Sequence, residues 1–243
     1  MADESKTTMP LWAHLDELRK ALIRLLVVLG VSTCVTYQYS DQIVYFLEKP
    51  LLDILPEGEK FLYFTGIADK FVIYFKISIL ASLFLTCPYL LFEIWRFIAP
   101  GLYGKEKKFA IPFMFLGTVS FFLGSAFAYY IIVPFGYEFL IQFGSPTDKA
   151  IITLTEYFDI TIKLILAVGL VFEMPVVLML LGKLGLVSSA WLKSQRRSAF
   201  IAISVISALA TPSPDAFTMF LVMVPLWMLF ELSIVLVKWV QPS

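Results

Sequence analysis

The sequence has no asparagine, one histidine, two cysteines and few charges. Each shortage removes a class of function. Without asparagine there is no N-glycosylation sequon. A single histidine, His14, rules out HExxH and any multi-histidine metal centre, and leaves a histidine-dependent hydrolase only that one residue. Neither a GxSxG elbow nor a GxxxxGK[ST] phosphate loop occurs, so no cofactor is expected and the chain does not read as an enzyme. Cys34 and Cys87 both sit in apolar runs, which fits neither a disulfide framework nor a metal cluster. Charged residues are 16% of the 243, against about a quarter in a soluble domain. With 59% hydrophobic residues and a mean hydropathy of +0.84, a soluble fold and a disordered chain are both excluded. Zero net charge argues against a nucleic-acid partner.

What is present is a set of long apolar runs, which makes this an all-α polytopic membrane protein. Six spans are expected, at about 22–39, 71–97, 109–133, 158–184, 199–210 and 217–240, within one membrane domain covering 1–243. The fifth is short, because about a dozen residues at 1.5 Å each fall well below a 30 Å hydrocarbon core. Only Thr211-Pro212-Ser213-Pro214-Asp215 separates it from the sixth, so those two read as a helical hairpin. Residues 1–6 include Asp3 and Glu4 and lack a basic n-region, so the first span is expected to be retained. Pro88, Pro112, Pro175 and Pro225 fall inside spans and are expected to kink them. Thr153 with Glu156 fits a capping box, and residues 41–55 read as an amphipathic helix on the outer surface, broken at Pro50. No internal repeat is found.

Basic residues set the orientation. Thirteen of the nineteen lysines and arginines fall on the side holding both termini and the 2–3 and 4–5 loops, against four on the other side. The positive-inside rule therefore places both termini in the cytoplasm.

Some charges need explaining. Inside the spans lie Lys76, Glu93, Lys163, Glu173 and Glu231, each costly at bilayer depth. Lys76 and Lys163 can snorkel outward, and Glu93 is expected to pair locally with Arg96. Glu231 can reach cytoplasmic water or another helix. Glu173 sits mid-span with no basic helical neighbour. It is either a protonated carboxyl donating to a carbonyl freed by Pro175, or a polar contact in a groove used by a partner. Glu17 and Glu106 are carboxylates on the positive face. Asp16 with Lys20 forms an i,i+4 pair beside the first, and neighbouring lysines compensate the second. Two carboxylates there can also accept a paired-arginine ligand bidentately.

At these residues the sequence resembles the TatC family of twin-arginine translocase subunits. The matching blocks are His14-Leu15-Asp16-Glu17-Leu18-Arg19, Phe97-Ile98-Ala99-Pro100-Gly101-Leu102-Tyr103 with Glu106, Phe127-Ala128-Tyr129, Phe172-Glu173-Met174-Pro175 and Thr211-Pro212-Ser213-Pro214-Asp215. The resemblance implies a cupped molecule with short helices five and six, in a bacterial-type cytoplasmic membrane. It implies a receptor for twin-arginine signal peptides of folded precursors. That receptor would act with single-span Tat partner subunits of TatA and TatB type, as a homo-oligomer, driven by the proton-motive force. By the same resemblance Glu17 and Glu106 bind the signal arginines, Phe97, Leu102 and Tyr103 shape that site, and Arg19 supports it. Glu173 faces the concave side, while Pro50 and Asp215 are family positions of the outer surface. Ala21 and Met219 depart from residues common in the family, basic and glutamine respectively. A small-solute transporter with Glu173 as proton carrier and a non-transporting scaffold remain as alternatives, the first weakened by the lack of repeats.

Overall fold

A computed structural model describes residues 11–58, 60–98, 110–144, 151–211 and 215–241. They form ten α-helices and one π-helical turn: α1 Leu11–Tyr37, α2 Ser40–Leu52, α3 Asp69–Ile98, α4 Ala110–Phe127, the π turn Ala128–Ile132, α5 Val133–Gln142, α6 Leu154–Phe172, α7 Met174–Lys183, α8 Ser189–Ser194, α9 Arg196–Ala210 and α10 Ala216–Val240. Among the described residues no strand forms. The one β contact is a parallel bridge in which Tyr63 N donates to Ile152 O and Leu154 N to Tyr63 O, tying the α2–α3 loop to the start of α6.

Among the described residues, four helical runs are long and apolar enough to cross a membrane: Asp69–Phe97, Ile111–Gln142, Leu154–Lys183 and Ala216–Val240. Helices α1 and α9 occupy the places of the first and fifth expected spans but are not among those four. The first half of α1 carries five charges, from Asp16 to Arg24, and α9 has only 15 residues. The run at the third expected span continues to Gln142 through the π turn. Pro134 has no N–H to offer, so the helix widens just ahead of it and then resumes as α5.

Local signals place the helix starts. Thr153 Oγ1 accepts from Glu156 N at 3.3 Å, Ser188 Oγ from Trp191 N at 3.1 Å and Asp215 Oδ1 from Thr218 N at 2.7 Å. The helix α2 buries Ser40, Val44, Leu47 and Leu51, one stripe at helical spacing. Contrary to the expected break, it runs through Pro50 and ends at Leu52. Proline at 50 deprives the Phe46 carbonyl of its i+4 donor, and Tyr129 Oη in the π turn supplies the missing bond at 2.5 Å. Tyr157 Oη adds a second, to Leu47 O at 2.6 Å.

The main core joins α2, the first half of α3, the π turn, α6 and α10, around Leu51, Ile77, Tyr157, Phe158 and Val222. A smaller cluster toward the other end joins Trp95, Phe113, Val176 and Leu180. Glycines let α4 and α6 approach closely. A Cβ on Gly124 would lie 2.6 Å from Phe172 Cβ, and one on Gly169 would lie 2.5 Å from Ser125 Oγ.

Candidate functional site

Helix α1 packs antiparallel along α3 through polar rungs. Thr36 Oγ1 donates to Ser78 O at 2.8 Å and Thr33 Oγ1 to Ser82 Oγ at 3.0 Å. At the far end of the seam Arg24 Nε meets Glu93 Oε1 at 2.9 Å and Arg24 Nη2 meets Oε2 at 2.7 Å. Tyr89 Oη donates to Glu93 Oε1 at 2.9 Å. The Glu93 side chain is 2% exposed and both of its oxygens are used, while Arg24 keeps one side open to solvent at 35% exposure. The expected Glu93–Arg96 pair is present but long, at 4.0 Å on the exposed flank, and the closer partner is Arg24 from another helix. An arginine and a glutamate, each near the same end of consecutive antiparallel helices, were the signal for this pairing.

Beyond that clamp lies the candidate site. Glu17 and Ala21 continue the face of α1 that carries Arg24, and Ala21 is buried while Glu17 is half-buried. Arg19 is exposed, and Phe97, at the end of α3, is half-buried. Asp16 pairs with Lys20 at 2.7 Å, and the lysine's hydrogen bond holds the Asp16 carboxyl below its ordinary range. Leu102, Tyr103 and Glu106 lie outside the described residues.

Glu173 occupies the break between α6 and α7. Pro175 cannot donate to Val171, so α6 stops at Phe172 and α7 starts afresh, with Val176 N and Val177 N donating to Glu173 O. The side chain folds over α4, where a Cβ on Gly117 would lie 3.1 Å from Glu173 Oε2. Glu173 is 9% exposed, and its Oε1 is buried without a hydrogen-bond partner among the described residues. Pro50 and Asp215, the remaining expected positions, both take part in hydrogen-bonded structure. Pro50 creates the acceptor that Tyr129 fills, and Asp215 caps α10 through Thr218 N and the Thr218 hydroxyl.

Sequence reasoning missed two interhelical ion pairs. Lys76 Nζ meets Asp159 Oδ1 at 2.6 Å between α3 and α6, and Arg196 Nη2 meets Glu231 Oε2 at 2.6 Å between α9 and α10. Among the described residues no group of three or more histidine, cysteine or acidic side chains is placed to hold a metal.

The helical fold, four apolar runs and a buried acid at a helix break define a polytopic α-helical membrane protein. Comparison with known proteins narrows that class. The family profile described as "Sec-independent protein translocase protein (TatC)" matches residues 13–225. The Sec-independent protein translocase protein TatC of Desulforapulum autotrophicum is 38% identical over 93% of this chain and 83% of its own length. That of Campylobacter jejuni is 36% identical over 95% of this chain and 94% of its own. A crystal structure of the twin-arginine translocase receptor TatC superposes with a TM-score of 0.78 at 32% identity, covering 93% of this chain and 99% of that one. The chain belongs to the TatC family, the translocase proteins of Sec-independent protein transport, and its role is one of transport rather than catalysis.

Proposed function

We propose that this chain is the receptor subunit of a twin-arginine translocase, spanning the cytoplasmic membrane six times with both termini inside. Helices α1 and α9 supply the first and fifth spans. The 15 residues of α9 reach about 22 Å, so the bilayer thins beside it and the molecule is cupped there. Glu17 and Glu106 accept the two signal arginines as bidentate carboxylates, Phe97, Leu102 and Tyr103 flank them, and Arg19 supports the α1 end. Glu173 offers its unpartnered oxygen to the signal peptide or to a single-span TatA- or TatB-type helix. Pro50 and Asp215 hold the outer surface elements. The chain works as a homo-oligomer with those partners, and the proton-motive force drives folded precursors across.

The observation that carries this reading is the half-buried Glu17, two turns before Arg24 on the same face of α1, where the Arg24–Glu93 pair joins that helix to the last turns of α3. A carboxylate held there, on a face otherwise rich in lysine and arginine, suits a cationic ligand. Site-specific photocrosslinking tests it. Glu17→Ala or Glu106→Ala is expected to abolish crosslinks to a twin-arginine precursor in membranes while the protein inserts normally. Undiminished crosslinking in both variants would refute the site.

A further inference from the structure

The Arg24–Glu93 pair is placed where it controls the cytoplasmic end of α1. Among the described residues no other polar contact joins that end to α3 apart from the pair's own members: Ala21 is buried and Leu25, Val28 and Leu29 are partly buried, while Leu22, Ile23, Leu26 and Val27 are all at least half exposed. The next polar rung along the seam, Thr33 to Ser82, lies nine residues deeper than Arg24. Glu17 precedes Arg24 by seven residues, about two turns, so both project from one face of the helix. With the clamp closed, Glu17 stands about 10 Å from a fixed point; with it open, the nearest polar rung is about 24 Å away, at 1.5 Å per residue. A tilt of about 10° about that rung then moves Glu17 by about 4 Å instead of about 2 Å. Bidentate recognition of a guanidinium tolerates only about 0.5 Å of displacement.

We propose that the Arg24–Glu93 ion pair, with Tyr89 as its third member, is a positioning clamp that fixes the height and rotation of Glu17 against α3 and so sets the affinity for the twin-arginine signal. This rests on the reading of Glu17 and Glu106 as the arginine-binding carboxylates. The pair itself touches no ligand. Its geometry supports a locating role: two guanidinium nitrogens on two carboxylate oxygens fix orientation as well as distance, and the tyrosine hydroxyl removes the remaining freedom of Oε1.

The test uses the full chain assembled with its single-span partners in lipid nanodiscs. Affinity for a twin-arginine signal peptide is measured alongside the spin-label distance between exposed positions Leu18 on α1 and Ile94 on α3, in a Cys34→Ala, Cys87→Ala background. Arg24→Gln and Glu93→Gln are each expected to weaken peptide binding about tenfold and to broaden the distance distribution. The double variant R24Q/E93Q leaves no lone charge and keeps an amide pair across the seam. It is expected to recover affinity to within about threefold and to narrow the distribution, which also shows that the single variants lost positioning rather than the fold. Wild-type affinity in both single variants, with Glu17→Ala still abolishing binding, would overturn the clamp. Weakened binding with an unchanged distance distribution would overturn it as well. Normal binding by Glu17→Ala and Glu106→Ala is a different pattern, which removes the underlying site.

Discussion

Glu93 and Glu173 invite the same substitution with opposite expected signs. Both are glutamates buried between helices, 2% and 9% exposed. Glu93 has Arg24 and Tyr89 on its oxygens, whereas Glu173 Oε1 has no partner. Methionine keeps the length of the side chain and removes the polar atoms. At 93 it strands Arg24, and breaking a buried pair costs about 3–5 kcal/mol. Arg24 is 35% exposed, so water partly rescues it and the loss is smaller than for a fully buried pair, but still a destabilisation. At 173 the same change removes a buried unsatisfied oxygen, whose burial costs about 1–3 kcal/mol, so the variant is expected to gain about that much. For a chain of this size a kcal/mol moves the melting temperature by about 2–4 °C. Glu93→Met should therefore melt below the wild type and Glu173→Met a few degrees above it. Thermal unfolding in lipid nanodiscs, followed by far-ultraviolet circular dichroism, reads both, and precursor transport is measured on the same variants. A stabilised but transport-deficient Glu173→Met would show an acid kept for function at a cost in stability. Two shifts of the same sign would refute the account of how these carboxyls are satisfied.

Gly124→Ala drives a Cβ to 2.6 Å from Phe172 Cβ, an overpacking cost of about 1–3 kcal/mol against about 1 kcal/mol of helix propensity, while Gly30→Ala enters open space and keeps only the gain. The first should melt below the second, and the reverse order would contradict the close packing of α4 on α6. Tyr129→Phe removes the donor to the Phe46 carbonyl and should cost about 1 kcal/mol. In a Pro50→Ala background the new N–H can take that carbonyl, so a double-mutant cycle should show the cost vanish. Burial pushes the Glu48 carboxyl on α2 above its ordinary range, with Lys70 opposing. Its folded pKa exceeds the unfolded one, so its favourable contribution is complete below the unfolded pKa and is lost as pH rises through the folded value. Stability of the wild type relative to Glu48→Gln should therefore fall as pH rises out of the acid range, and a flat difference would contradict the burial.

The sequence by itself determined the solvent, four of the apolar runs and several helix starts. Those depend on local quantities: run length against bilayer thickness, the spacing of Thr153 and Glu156, the absence of an N–H at Pro175. It also singled out Glu17, Glu106 and Glu173, because a carboxylate on a basic face or in mid-membrane is conspicuous in one dimension. Partner choice was not local. Glu93 has Arg96 one turn away, yet takes Arg24 from another helix, because α1 and α3 run antiparallel and present the two side chains at one level. Pro50 looked like a helix breaker, since no sequence rule says that Tyr129, seventy-nine positions later, fills the carbonyl it leaves empty. The tertiary structure decided which of two buried glutamates is satisfied. That choice turns on interhelical distances of 2.7–2.9 Å, which packing sets and the order of residues along the chain does not.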